Sequence, residues 1–252
     1  PAFILETDSL QEEARSGLKE YSFSIGREQQ QLLAKYAGNK PLETFLLLLT
    51  GYGILFSEYM QASHIILNTP LFGKNIDDVW ERNVPLVIDV NKSESIKQLL
   101  HDVNTHVLES YRYQNFPFDR LHIDNELVTT NMLSNVLIWH DDLHETPGNE
   151  ELLKHDLNIQ VRQPDEMAPL SISIKYAPSR FRDDHIAGMS GHINQVILAF
   201  ADLGQAIENI NLLSAGEMDW LKNGGDHTAV SLPANGTVLS VFREQVPKTP
   251  DG

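Results

Sequence analysis

The chain contains no cysteine among its 252 residues. That excludes disulfides, thiol nucleophiles and zinc–thiolate sites, and it fits a cytoplasmic protein. Basic residues are scarce, 19 Lys and Arg against 35 Asp and Glu, for a formal net charge of −16. So acidic a surface disfavours nonspecific binding to nucleic acid or to anionic membrane. Long apolar runs are missing too. The most apolar stretch, Phe45–Phe56, is interrupted by Thr50, Gly51 and Gly53, whereas a membrane-spanning helix needs about 20 apolar residues. It reads as a buried helix whose glycines permit close approach of a neighbour. Pro1–Ala2–Phe3 opens no basic-then-apolar signal peptide. No G-x-S-x-G elbow, phosphate-cradling G-x-x-x-x-G-K-[ST] or dinucleotide-binding G-x-G-x-x-G occurs.

What is present is an ordinary globular composition, 41% hydrophobic and 21% charged. Residues 1–20 are acidic and weakly patterned, and read as an incoming linker. Tyr21–Ser24 alternates as a short strand would. A helix is expected over Arg27–Ala37, stopped at Gly38–Asn39, and another after Pro41. His64–Leu67 and Val84–Val90 read as strands, with a turn-rich start at Asn68–Ile76 between them. Ser93–Arg112 carries Ile96, Leu99, Leu100, Val103, Val107, Leu108 and Tyr111 at three- and four-residue spacing, the stripe of an amphipathic helix. Asn91 and Glu94 suggest a capping box at its start. Strands are expected at Asn135–Trp139, at Leu157–Val161 and over the strictly alternating Leu170–Tyr176. A second amphipathic helix is expected over Asp183–Asp202, and Ser214–Glu217 is a capping box opening a last short one. Beyond Lys222, Asn223–Asp226, Pro233 and Asn235–Gly236 break regular structure, so residues 223–252 read as a trailing linker. Interleaved helices and strands predict an α/β fold, a mixed sheet covered by helices.

Two segments invite chemistry. His140–Asp141–Asp142–Leu143–His144 places imidazoles and carboxylates close enough to suggest a metal. No third ligand stands at a recognised spacing, and H-E-x-x-H is absent, so a solvated strand end is favoured over a metal site. Ser190–Gly191–His192 lies inside an expected helix, where a serine has no strained turn to activate it. From residues alone, the reading ends at an α/β domain with a trailing linker.

Tyr113–Gln114–Asn115–Phe116–Pro117–Phe118–Asp119–Arg120 goes further. It resembles the condensation-domain core motif [HN]-Q-D-[YV]-P-F-E of nonribosomal peptide synthetases, with Gln114, Pro117 and Phe118 matching, and it follows a long amphipathic helix as in that family. Other segments fall in the family's order. Asn68–Thr–Pro–Leu–Phe–Gly–Lys74 resembles G-T-P-V-A-G-R, Asn83–Val–Pro–Leu86 resembles N-T-L-P-L-R, and Ala168–Pro–Leu170 resembles the N-P-L of the last core motif. Leu212–Leu–Ser214 with Glu217, and later Val241–Pro250, is similar to the linker joining a condensation domain to an adenylation domain.

The resemblance implies a chloramphenicol acetyltransferase-like fold, two α/β lobes forming a V around a tunnel. Residues 21–222 would be the C-terminal lobe. The reaction joins a donor acyl or peptidyl thioester to an acceptor aminoacyl thioester, both carried on phosphopantetheine arms of carrier proteins; no cofactor is bound directly. The catalytic H-H-x-x-x-D-G motif is absent, since no two histidines are adjacent. No catalytic residue is therefore assigned to this chain; the motif is expected upstream, in an N-terminal lobe. Val87 stands where the family places an arginine after N-T-L-P-L, reported to pair with the aspartate of that motif. The expected tunnel-wall or lobe-interface residues are Asn83, Pro85, Gln114, Pro117, Phe118 and Asn135. Their alternative roles are structural: Pro117 and Phe118 ordering a turn, Asn135 packing a sheet. The expected partners are the N-terminal lobe, carrier proteins and an adenylation domain. The competing readings are a CoA-dependent acyltransferase of the same superfamily and a noncatalytic carrier-docking or scaffold module.

Overall fold

The structure, a computed structural model, describes residues 17–38, 40–73, 83–114, 135–163 and 168–223. Its compact units divide between Leu213 and Ser214. In the first unit, the elements are β1 (Lys19–Ser24), α1 (Arg27–Ala37), α2 (Pro41–Met60), β2 (His64–Pro70), β3 (Asn83–Asp89), α3 (Ile96–Tyr113), β4 (Val136–His140), α4 (Asn149–Leu152), β5 (Leu157–Arg162), β6 (Ser171–Tyr176) and α5 (Asp183–Ala199). The second contains α6 (Ala215–Asn223).

Six strands form one mixed sheet in the order β1-β6-β5-β4-β2-β3. β4 runs parallel to β2 and β5, and the other pairs are antiparallel. Period-2 alternation sends Ile65, Leu67, Leu86, Ile88, Ile138, Ile159, Ile172 and Ile174 to one face, where they join residues of α1, α2, α3 and α5 in a single buried cluster. The expected mixed sheet covered by helices is the fold observed.

Helix α2 lies at the centre of that layer. Its buried run extends from Thr44 through Ser57, so it is apolar all round, as a core helix must be. Its glycines sit where neighbours press closest: a Cβ at Gly51 would lie 3.2 Å from Ile193 Cδ1 of α5, and one at Gly53 2.8 Å from Ile88 Cγ2 of β3. Gly38 closes α1 in the left-handed region at φ 58°, its N–H donating to Ala34 O, as expected of a helix stop. The Ser214–Glu217 capping box is also present: Ser214 N–H and Oγ donate to Glu217 Oε2, and Glu217 N–H donates to Ser214 Oγ.

Some boundaries differ from the sequence expectation. β1 begins at Lys19, inside the stretch read as linker, because Lys19 and Glu20 pair with Tyr176 and Lys175. β2 runs on through Asn68–Pro70, read as turn-rich, because these residues pair with Pro85, Val84 and Asn83. α3 is capped by Ser95, whose Oγ accepts from Gln98 N–H; Asn91 and Glu94 bond to each other in the preceding turn. α5 ends at Ala199 and tightens into a 3-10 turn over Phe200–Asp202.

Candidate functional site

Gln114 stands at the C-terminal end of α3, and its side-chain amide acts as a short extra strand. Phe72 N–H donates to Gln114 Oε1 at 2.8 Å, and Gln114 Nε2 donates to Phe72 O at 3.4 Å. A primary amide carries a donor and an acceptor side by side, so it pairs with one residue's backbone as a neighbouring strand would. Phe72 is thereby clamped between α3 and the sheet, its ring centroid 5.8 Å from that of Tyr111, 4.7 Å from His144 and 6.1 Å from Phe45.

His144 anchors the other side of this clasp. His144 Nδ1 lies 3.0 Å from His140 N and 3.2 Å from His140 O, and its Nε2 lies 3.1 Å from Thr69 Oγ1. Burial pushes its pKa down to about 3, so the ring is neutral. The solvated strand end expected for His140 and His144 is overturned, because both are only 1% exposed. The chain turns after β4 and folds His144 back against Phe45 and Phe72 instead of leaving it extended in water. Asp142 N–H donates to His140 Nδ1, and burial lowers the His140 pKa as well. Among the described residues no group of three acidic, histidine or cysteine side chains could hold a metal.

A second arrangement lies on the sheet face away from the main helix layer. Asn83 Nδ2 donates to Glu151 Oε1 and lies 3.3 Å from His155 Nε2. Glu151 also pairs with Lys154 at 2.7 Å. The contact with His155 first, then Lys154 and Asn83, hold its pKa down to about 2 against the opposing effect of burial. Trp139, Leu137 and Leu152 form a small buried cluster there, and Asn158 Nδ2 donates to Leu152 O and His155 O.

Asn83 and Pro85 share this face of β3, paired with Pro70 and Asn68 of β2. The end of β2 that pairs with Asn83 leads directly to Phe72 and so to Gln114, which brings these three expected residues to one end of the sheet. Asn135 is at the other end, just before β4. There its Nδ2 donates to Asp156 Oδ2 at 2.8 Å and its carbonyl accepts from Asp156 and Leu157. Pro117 and Phe118 lie outside the described residues. Ser190 is an ordinary helix residue, its hydroxyl donating to Ala187 O at 2.7 Å. Sequence reasoning missed Thr69, Trp139, Glu151, His155 and Asn158. Nothing local in the sequence marks them, and β2 itself is buried without alternation from Leu67 through Pro70.

A family model described as Condensation domain matches residues 5–221. The chain belongs to the condensation-domain family. Among curated relatives it is similar to gramicidin S synthase 2 of Brevibacillus brevis, 25% identical over 92% of this chain and 6% of that protein. It is also similar to tyrocidine synthase 3 of Brevibacillus parabrevis, 24% identical over 91% of this chain and 4% of that one. The chain thus spans about a twentieth of these relatives' length.

Three solved structures share the condensation fold. The first condensation domain of the CDA synthetase matches with a TM-score of 0.61 at 14% identity, over 80% of this chain and 49% of that one. The four-domain nonribosomal peptide synthetase holo-AB3403 gives 0.66 at 13%, over 93% of this chain and 20% of that one. The X-domain in its complex with OxyB from teicoplanin biosynthesis gives 0.61 at 15%, over 84% of this chain and 52% of that one. Within this condensation-family chain, Val87 lies on β3 at 43% exposure. Its carbonyl is engaged by His106 Nδ1 at 3.1 Å, which ties β3 to α3.

Proposed function

We propose that this chain is the C-terminal lobe of a condensation domain of a nonribosomal peptide synthetase, supplying tunnel wall and carrier-docking surface for peptide-bond formation. The observation that carries the reading is the family match over residues 5–221 combined with coverage of only 49% of a single condensation domain. A lobe of that size is half of a two-lobed enzyme. The substrates on this reading are acyl or peptidyl and aminoacyl thioesters on phosphopantetheine arms of carrier proteins. The partners are an N-terminal lobe, those carriers and an adenylation domain, in the cytoplasm. Among the described residues no helix is long and apolar enough to cross a membrane, which accords with that setting.

In this chemistry the amine of the acceptor attacks the donor carbonyl, and a group within hydrogen-bond reach must orient or deprotonate it. The chain has no H-H-x-x-x-D-G motif, so its own residues build and hold the wall. The Gln114–Phe72–His144 clasp fixes the end of α3 against β2. The Asn83–Glu151–His155 cluster fixes α4 across the second sheet face.

The test is a condensation assay with loaded donor and acceptor carriers. The two-lobe protein is expected to form the dipeptidyl product. The isolated 252-residue chain should be slower by at least the roughly 10²–10⁴ that a missing acid–base group costs. A second reading is a docking module without catalysis. It is favoured by Val87 at the expected arginine position and by likeness to an X-domain that, by its title, forms a complex with OxyB. Product formation by the two-lobe protein would exclude it, and no product with correctly loaded carriers would favour it over the enzyme.

A further inference from the structure

Phe72 is gripped from two sides by groups distant in sequence. Gln114, at the end of α3, takes both its N–H and its carbonyl. On the other side, Phe72 and Gly73 bridge to His144, and Gly73 N–H donates to Leu143 O at 2.9 Å. Residues 72–73 therefore run as a short strand between a side chain of α3 and the turn that follows β4.

His144 closes that turn, and its ring is fixed as well as packed. It lies against Phe45 and Phe72, with centroids 4.9 and 4.7 Å away. Its two nitrogens are engaged from different elements, Nδ1 by the His140 backbone and Nε2 by Thr69 Oγ1 of β2. Apolar packing alone leaves a flat ring free to turn in its own plane, whereas partners on both ring nitrogens set that angle. Thr69 is 0% exposed and His144 1%. Burying a hydroxyl and an imidazole is costlier than burying valine and phenylalanine in the same space, so filling the core does not account for the pair. What the pair adds is position. Phe72 is held in one place, and the Gln114 amide follows, because it is bonded to both backbone groups of that residue.

Gln114 is the first matching residue of the motif that continues to Pro117 and Phe118, and the neighbouring strand end carries Asn83. All four are expected wall residues. Two thioesters on long arms react only when amine and carbonyl are aligned, and a displacement of about 1 Å far from the chemistry can cost on the order of 10²-fold in rate.

We propose that Thr69 and His144 are positioning residues for condensation: they lock Phe72, and through it Gln114, and so set the wall at the end of α3. Both are buried, so they act through Phe72 and Gln114 and not on substrate. The inference rests on the reading of the chain as a condensation lobe.

The test compares two variants of one residue. Thr69→Val keeps the shape and removes the hydroxyl, whereas Thr69→Ser keeps the hydroxyl. In the full 252-residue chain, amide hydrogen exchange at Phe72 and Gly73 is expected to speed up roughly tenfold or more in Thr69→Val, with exchange at the centre of β5 unchanged. In the two-lobe protein, condensation with loaded carriers should lose roughly 10- to 100-fold in kcat, with KM for either carrier unchanged. Thr69→Ser should recover both readouts. Unchanged exchange at Phe72 in Thr69→Val would overturn the link whatever the protein catalyses. Faster exchange with an unchanged kcat, or an equal loss in Thr69→Ser, would overturn the positioning role and leave the pair to the fold. No product from the unsubstituted two-lobe protein would instead overturn the condensation reading itself, with the exchange data still deciding the link. If Thr69→Val does not fold, Gln114→Asn opens the same link from the α3 side, and there an unchanged kcat overturns the proposal.

Discussion

On the face packed by α1, α2, α3 and α5, the strands present Ile65, Leu86, Ile138, Ile159 and Ile174, all buried. On the opposite face the same strands present Asn68, Asn83, Trp139, Asn158 and Ser173. Alternation along each strand produces both faces at once, yet they are held by different forces. The first is stabilised by apolar area removed from water, at about 25 cal/mol per Å², and asks only for shape. The second buries polar groups, each of which must find a specific partner. Apolar packing tolerates variation in the covering helices. The polar face needs one particular segment, residues 151–155, in one register.

The largest expected effect lies on the apolar face. Ile159 is fully buried in the centre of the sheet, between Ile138 on β4 and Ile174 on β6. Ile159→Ala removes packed methyl groups and leaves a cavity, so a loss of about 2–5 kcal/mol is expected in urea denaturation. A loss below 1 kcal/mol would break the comparison by showing that this face is not the main source of stability.

Acid separates the sites by pH window. His144 is a base whose folded pKa is lowered to about 3 from 6.5. Between these values the unfolded chain takes up a proton that the folded chain refuses, so stability falls as pH drops below about 6.5. His140, lowered in the same direction, adds to this. Glu151 is an acid whose folded pKa is lowered to about 2 from 4.5. Its contribution is complete above about 4.5 and is lost as pH falls towards 2. Each group changes stability by at most about 1.4 kcal/mol per pH unit inside its window. Denaturation midpoints measured from pH 7.5 to 2.5 should show His144→Gln flattening the decline that begins near 6.5, and Glu151→Gln flattening only the part below 4.5. Identical curves for the two variants would remove the distinction.

The Gln114 clasp is smaller in reach. Gln114→Ala deletes both bonds to the Phe72 backbone, and a cost of about 1–3 kcal/mol is expected. Restoring the amide one methylene shorter, Gln114→Asn, should not recover it, because the shorter side chain cannot span to Phe72. Full recovery by asparagine would mean that the amide's reach is not what holds Phe72.

Much of the apolar face was legible in the sequence, because its signals are local. The alternation of Leu170–Tyr176, the stripe through Val103 and Val107, and Gly38 after α1 each act within a few residues. The second face was not legible. The strands carrying Trp139 and Asn158 are marked in the sequence, but what buries these residues includes Leu152, brought over by a turn and one short helix. His144 misled for a related reason. Beside two aspartates it looks like a surface residue, and only the long-range approach of Thr69 and Phe72 makes it core. The motif at Gln114 marked a family, while its work, pairing with a backbone 42 residues away, follows only from the fold.

The smallest effect is expected at Val87. Its side chain is exposed on the edge strand, and what the fold uses at this position is its backbone: the carbonyl engaged by His106 and the pairing with Ile66. Val87→Arg keeps both and adds a long cation to open surface, so stability should change by no more than about 0.5 kcal/mol. The arginine at this position is what the family resemblance expects, as partner to an aspartate of the other lobe. In the two-lobe protein, then, Val87→Arg should leave the denaturation midpoint in place and alter the condensation rate. A shifted midpoint with an unchanged rate would assign position 87 to the fold and not to the tunnel.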